Sequence, residues 1–135
     1  MKEYFFWMDS QFVYYVPQPA QRMLAQKYLE RNDGRIVYYS AEELIAVPQQ
    51  LGLREKLKRT TGINGFIFFT LKQFFYGQKV DFLLMYQMLE QGLELHFARE
   101  EYSIFNLQDF EEKFCRLYLY FYSNQLELSN LGLSF

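Results

Sequence analysis

One cysteine, Cys115, and one histidine, His96, are present, so the chain has neither an internal disulfide nor a Cys/His cluster of metal-binding spacing. A reducing cytoplasm is the expected location, and no metal site is expected. Only three prolines occur and no Pro/Gly-rich stretch, repeat or low-complexity segment interrupts the 135 residues, which is the length of one ordinary domain. We therefore read residues 1–135 as a single domain. Neither sign of charge dominates: 14 Lys+Arg face 16 Asp+Glu, and a net charge of -2 offers no field to attract a polyanion. Nucleic acid is not an expected partner. No stretch approaches the ~20 apolar residues of a membrane helix. The opening MKEYFFWMDSQFVYY is broken by Glu3 and Asp9 and lacks a small-residue cleavage pattern, so neither export nor a membrane span is expected. A Walker loop, GxGxxG and GxSxG are all missing, and no cofactor is expected.

What the chain does have is apolar surface. Half of its residues are hydrophobic and 21% are aromatic, enough to offset the entropy of ordering and to argue against disorder. Four short apolar runs recur, Tyr4 to Met8, Arg35 to Tyr39, Gly65 to Phe69 and Leu93 to Ala98, each followed by a helix-like stretch. That alternation predicts an α/β fold: a three-layer domain with a mainly parallel four-stranded sheet in the order 2-1-3-4 and helices on both faces. The runs YFFWM and GFIFF are continuously apolar, as central strands buried on both faces require, and LELHFA alternates.

The helices carry their own signals. Pro17 and Pro19 open the first, Gly34 follows it, and Ala20, Met23, Leu24 and Tyr28 are expected on its buried face. Ser40 and Glu43 have capping-box spacing ahead of the second, which ends near Gly62 with Arg54, Lys56, Lys58 and Arg59. Cations at a helix C-terminus are read as a solvated end facing the helix dipole. Asp81 opens the third helix, with Phe82, Met85, Tyr86 and Leu89 on one face and Gly92 as its stop. Asn106 caps a long C-terminal helix whose stripe is Leu107, Phe110, Phe114, Leu117 and Phe121. Tyr118, Tyr120 and Tyr122 fall outside that stripe and call for a second surface. Segment 104–135 is therefore an expected oligomerisation element, the chain an expected homo-oligomer, and packing under the tail the alternative.

In an open parallel sheet, ligands bind outside the carboxyl ends of the strands. There the sequence delivers Asp9 and Ser10 from the first strand, Thr70, Lys72 and Gln73 from the third, and Arg99 and Glu100 from the fourth. These seven are the candidate ligand contacts. No catalytic residue is assigned: Ser10 has no histidine near it in sequence to act as a base, and a lone strand histidine such as His96 is more often structural. Asp9 and Ser10 read more readily as turn residues than as ligand contacts.

The segments VPQPAQRMLAQKYLERNDGRIVYYSAEEL, GINGFIFFTLKQF and LEQGLELHFAREEYSI resemble the sporadic carbohydrate cluster proteins, bacterial proteins named for genes in surface-polysaccharide clusters, over about residues 1 to 115. The resemblance implies an accessory protein of O-antigen or exopolysaccharide biosynthesis that binds a sugar intermediate or a pathway enzyme. The alternative is a small enzyme acting on a nucleotide-sugar or phosphosugar at the strand ends. The same arrangement is more distantly similar to the serine recombinase (resolvase) catalytic domain. That likeness would make Ser10 a nucleophile, but LKQFFYG supplies Lys72 where the family needs a pair of arginines, and one ammonium does not reproduce a bidentate guanidinium clamp on phosphate. DNA cleavage is the least favoured reading.

Overall fold

The computed structural model describes residues 1–10, 16–41, 51–76 and 79–125. Among these residues seven strands and four α-helices follow in chain order: β1 (Lys2–Met8), α1 (Gln18–Arg31), β2 (Gly34–Ala41), α2 (Leu51–Arg59), β3 (Gly65–Phe68), β4 (Phe75–Tyr76), β5 (Lys79–Val80), α3 (Phe82–Glu90), β6 (Glu94–Phe97), β7 (Tyr102–Ile104) and α4 (Leu107–Gln125). A 3-10 helix, Leu71–Phe74, links β3 to β4.

The main sheet has the order β2-β1-β3-β6-β7. Its first four strands are parallel and reproduce the expected 2-1-3-4 order, whereas β7 pairs antiparallel to β6. Five strands replace the expected four because the polar stretch after β6 reverses rather than leaving the sheet. The Glu101 N–H donates to Ala98 O at 3.2 Å, and Glu101 takes φ 50°, closing a tight turn that returns Tyr102 to face Phe97. A separate hairpin pairs β4 with β5.

Alternation sorts the strand side chains onto two faces. Tyr4, Phe6 and Met8 of β1 lie with Ile67, Phe69 and Ala98 against Ala25, Tyr28 and Leu29 of α1. Trp7, Phe66, Phe68, Leu95 and Phe97 form the larger core with Leu53 and Leu57 of α2, Leu84, Met85, Met88 and Leu89 of α3, and Phe110, Leu117, Tyr120 and Phe121 of α4. The described residues thus form three layers, one α-helix on one face of the sheet and three on the other. Gly65 lets β3 lie close to β6, since a Cβ there would stand 2.3 Å from Glu94 O.

Several helix faces differ from expectation. In α1 the buried positions are Gln21, Ala25, Tyr28 and Leu29, and Met23 and Leu24 are exposed. The helix is turned toward the sheet by Gln21, whose side-chain amide is satisfied inside and so tolerates burial. In α4, Phe114 is partly exposed, and Tyr120, expected outside the stripe, is 6% exposed and packs beside Phe121. In α3, Leu84 and Met88 are buried and Tyr86 is exposed. Ser40 is not a helix cap but a strand residue paired with Trp7, and Glu43 lies outside the described residues. The Asp81 and Asn106 caps are present, accepting from the Leu84 and Asp109 N–H groups.

Candidate functional site

The polar residues at the carboxyl ends of β1, β3 and β6 do come together, but most are used to hold the strand ends in place. Thr70 ends β3 and starts the 3-10 helix: its hydroxyl accepts from the Lys72 N–H at 3.3 Å, and its own N–H donates to Gln73 Oε1 at 3.1 Å. The change from apolar to polar at Thr70 is therefore a helix start. Gln73 reaches back to β1, donating from Nε2 to Trp7 O at 3.0 Å. From the other layer, Gln21 Oε1 accepts from Asp9 N–H at 2.9 Å while its Nε2 donates to Asp9 O at 3.1 Å and Val16 O at 2.8 Å. Two glutamines thus tether the end of β1 to β3 and to α1. Asp9 and Ser10 are buried there at 2% and 8% exposure.

Glu100 is the centre of the arrangement. Its Oε2 accepts from the Thr70 hydroxyl at 2.6 Å, the Tyr120 hydroxyl at 3.2 Å and Arg99 Nη1 at 3.4 Å, and its Oε1 accepts from the Leu71 N–H at 3.0 Å. One carboxylate joins the β3 exit, the β6–β7 turn and α4. This is how a carboxylate with little solvent exposure is kept: its lone pairs meet donors on three sides.

Two hollows open beside that frame. On the α1 side, an open cleft of about 520 Å³ is lined by Leu24, Lys27, Glu30, Arg31, Ala98, Arg99 and Glu101. Three of these side chains are cationic, and Arg31 is paired with Glu101. On the α4 side, a hollow of about 170 Å³ is lined by Leu71, Glu100, Tyr102, Arg116, Leu117 and Tyr120. Of the seven sequence candidates, Arg99 lines the first and Glu100 the second, whereas Thr70, Gln73 and Asp9 work in the scaffold and Lys72 is half-buried on the 3-10 helix. The cleft residues Lys27 and Arg31 were not legible as contacts, because which side of α1 faces the turn depends on the helix's rotation.

His96 lies on the α1 face, engaged at both nitrogens. Nε2 is 2.9 Å from Glu94 Oε1 and Nδ1 is 2.8 Å from the Tyr28 hydroxyl. Glu94 also accepts from the Tyr4 hydroxyl at 2.8 Å and Lys2 Nζ at 2.7 Å. Burial holds His96 below the usual histidine range despite its carboxylate neighbour. Burial would raise Glu94, but the hydrogen bonds from Lys2, His96 and Tyr4 outweigh it and bring the group below its ordinary value. Burial likewise pushes Tyr28 up to about 12. The neutral imidazole thus donates from Nε2 to Glu94 and accepts from Tyr28 at Nδ1, a structural relay rather than a base available to Ser10.

Among the described residues, no group of three or more His, Cys, Asp or Glu side chains is placed to hold a metal ion, and no helix is long and apolar enough to cross a membrane. No family model, curated protein or solved structure matches the chain.

Proposed function

We propose that this protein is a binding component of bacterial surface-carbohydrate biosynthesis that holds a phosphorylated sugar intermediate, free or as a nucleotide-sugar, in the cleft beside Arg99. The observation that carries the reading is the gathering of Lys27, Arg31 and Arg99 around an open cleft at the carboxyl end of β6. Such a position suits a ligand with a charged end and a polar body: cations answer the phosphate, and Glu30 and Glu101 are acceptors for sugar hydroxyls. The similarity of the sequence to carbohydrate-cluster proteins supplies the biological setting. Binding is favoured over catalysis because the groups nearest the strand ends are spent on backbone tethers and His96 is committed to Glu94 and Tyr28.

Titration calorimetry with UDP-glucose, glucose 1-phosphate and glucose tests this. The two phosphorylated compounds should bind saturably, and Lys27→Ala or Arg99→Ala should weaken them about tenfold, the consequence of losing one charge-assisted hydrogen bond. Absence of binding at millimolar concentration, or affinities unchanged in the double variant, would overturn it.

Self-association through α4 belongs to the same proposal, with a second copy of the chain as the partner. Phe114, Tyr118, Leu119 and Tyr122 are exposed on that helix, and the Tyr118 and Tyr122 rings lie 4.6 Å apart, presenting large apolar bodies with hydroxyls that stay hydrated. Light scattering at micromolar concentration should give a dimer mass or larger; a monomer mass rejects it.

A further inference from the structure

Half-buried Tyr102 and buried Trp7 share a property found in no other side chain among the described residues that is not exposed: the Tyr102 hydroxyl and Trp7 Nε1 are shut off from solvent without a hydrogen-bond partner. A buried polar atom left unpaired costs about 1–3 kcal/mol, so each invites an explanation. Trp7 belongs to the large apolar core. Tyr102, by contrast, forms part of the wall of the smaller hollow, beside Glu100, Arg116 and Tyr120, with Leu71 and Leu117 completing it.

We propose that this hollow is a binding site for one uncharged pyranose ring. Size is the first argument. About 170 Å³ is close to the roughly 150 Å³ of an engineered cavity that accommodates benzene, so the space suits a single six-membered ring and little more. Polarity is the second. Two tyrosines and two leucines give the flat apolar walls on which the C–H faces of a sugar rest, and the polar groups are few and convergent, as small-ligand sites require. Charge is the third: one carboxylate and one guanidinium balance each other, which favours a neutral polyhydroxyl ligand over an ion.

The acceptors are in place. Glu100 Oε1 receives only the Leu71 N–H, and a carboxylate oxygen has capacity for a second donor, whereas Oε2 already receives three. A ring hydroxyl donating to Oε1 fills that place, Arg116 donates to a neighbouring hydroxyl, and the Tyr102 hydroxyl gains its missing partner. Arg116 is exposed, so its side chain can swing to admit the ring. The site lies across the β6–β7 turn from the Arg99 cleft and does not depend on an anion binding there.

Calorimetry with D-glucose, D-galactose, D-mannose and L-rhamnose, and with benzene as an apolar control, tests the site on the wild-type chain, Tyr102→Phe and Lys27→Ala. At least one sugar should bind the wild type saturably in the millimolar range. Tyr102→Phe should weaken it about three- to tenfold, the worth of one neutral hydrogen bond. Its melting temperature without sugar should not fall, because the hydroxyl removed was unpaired. Lys27→Ala, which alters only the anion cleft, should leave neutral-sugar affinity unchanged. The proposal is overturned if no sugar binds at tens of millimolar, if benzene alone binds, if Tyr102→Phe binds like the wild type, or if that variant melts earlier and so reveals a structural role for the hydroxyl.

Discussion

His96 and Glu94, two residues apart on β6, point to the same side of the sheet and join through Nε2 and Oε1 at 2.9 Å. Their separation of two follows from the strand's pleat, which returns every second side chain to one face. Because Tyr28 reaches the other ring nitrogen from α1 and Lys2 and Tyr4 reach the carboxylate from β1, the pair ties three elements together under a layer of aromatic rings.

This relay gives stability a particular pH dependence. His96 is held below its ordinary 6.5 by burial, with Lys2 and Lys113 acting in the same direction and Glu94 opposing. The unfolded chain then binds the proton first, so stability is fully present above about pH 6.5 and declines as pH falls toward the folded value. Glu94, also lowered, adds a second loss beginning near its ordinary 4.5. Urea unfolding between pH 8 and pH 4 should show the first step and the onset of the second, and His96→Gln should flatten the first. A wild-type profile that is level from pH 7 to 5 would contradict the geometry.

Glu100→Ala should destabilise the chain strongly, since it strands the Thr70 hydroxyl and the Leu71 N–H near their present positions. A buried donor left unpaired costs about 1–3 kcal/mol, so a total at or above the upper figure is expected from chemical denaturation. Glu100→Gln retains an acceptor and should recover part of it.

Gly65→Ala tests the close approach of β3 to β6. The added methyl would sit 2.3 Å from Glu94 O and 2.8 Å from its carbonyl carbon, backbone atoms that yield only if the strands separate. A loss of about 1–3 kcal/mol or more is expected from such overpacking, read as an earlier thermal transition.

Ile67 is fully buried between β1 and β6 on the α1 face. Replacing it with Ala should cost about 2–5 kcal/mol through lost transfer energy and the cavity left behind. A cost below 1 kcal/mol would mean that this face packs loosely.

The order of the four parallel strands was legible because apolar runs mark the strands, continuous in YFFWM and GFIFF and alternating in LELHFA, and Pro, Gly, Asp or Asn stand near the ends of the helices, where backbone groups lack intrahelical partners. Those are local facts. The fifth strand was not legible: Arg99-Glu100-Glu101 reads as the polar end of β6, and only pairing with Leu95, His96 and Phe97 makes Tyr102–Ile104 a strand. Polar side chains were located correctly at the strand ends, yet their division into tethers and lining was decided by tertiary contacts 30 and 66 residues apart in sequence, Thr70 with Glu100 and Gln73 with Trp7. The rotation of α1 was likewise set by Gln21 finding Asp9 rather than by its apolar spacing. The sequence alone therefore determined the four parallel strands, the helices between them and which ends are polar, because periodicity and capping act within one turn or one pleat. Only the folded chain decided which polar atoms are spent on each other and which, like the Tyr102 hydroxyl, are left over, because hydrogen-bond satisfaction is settled between partners that the chain brings together last.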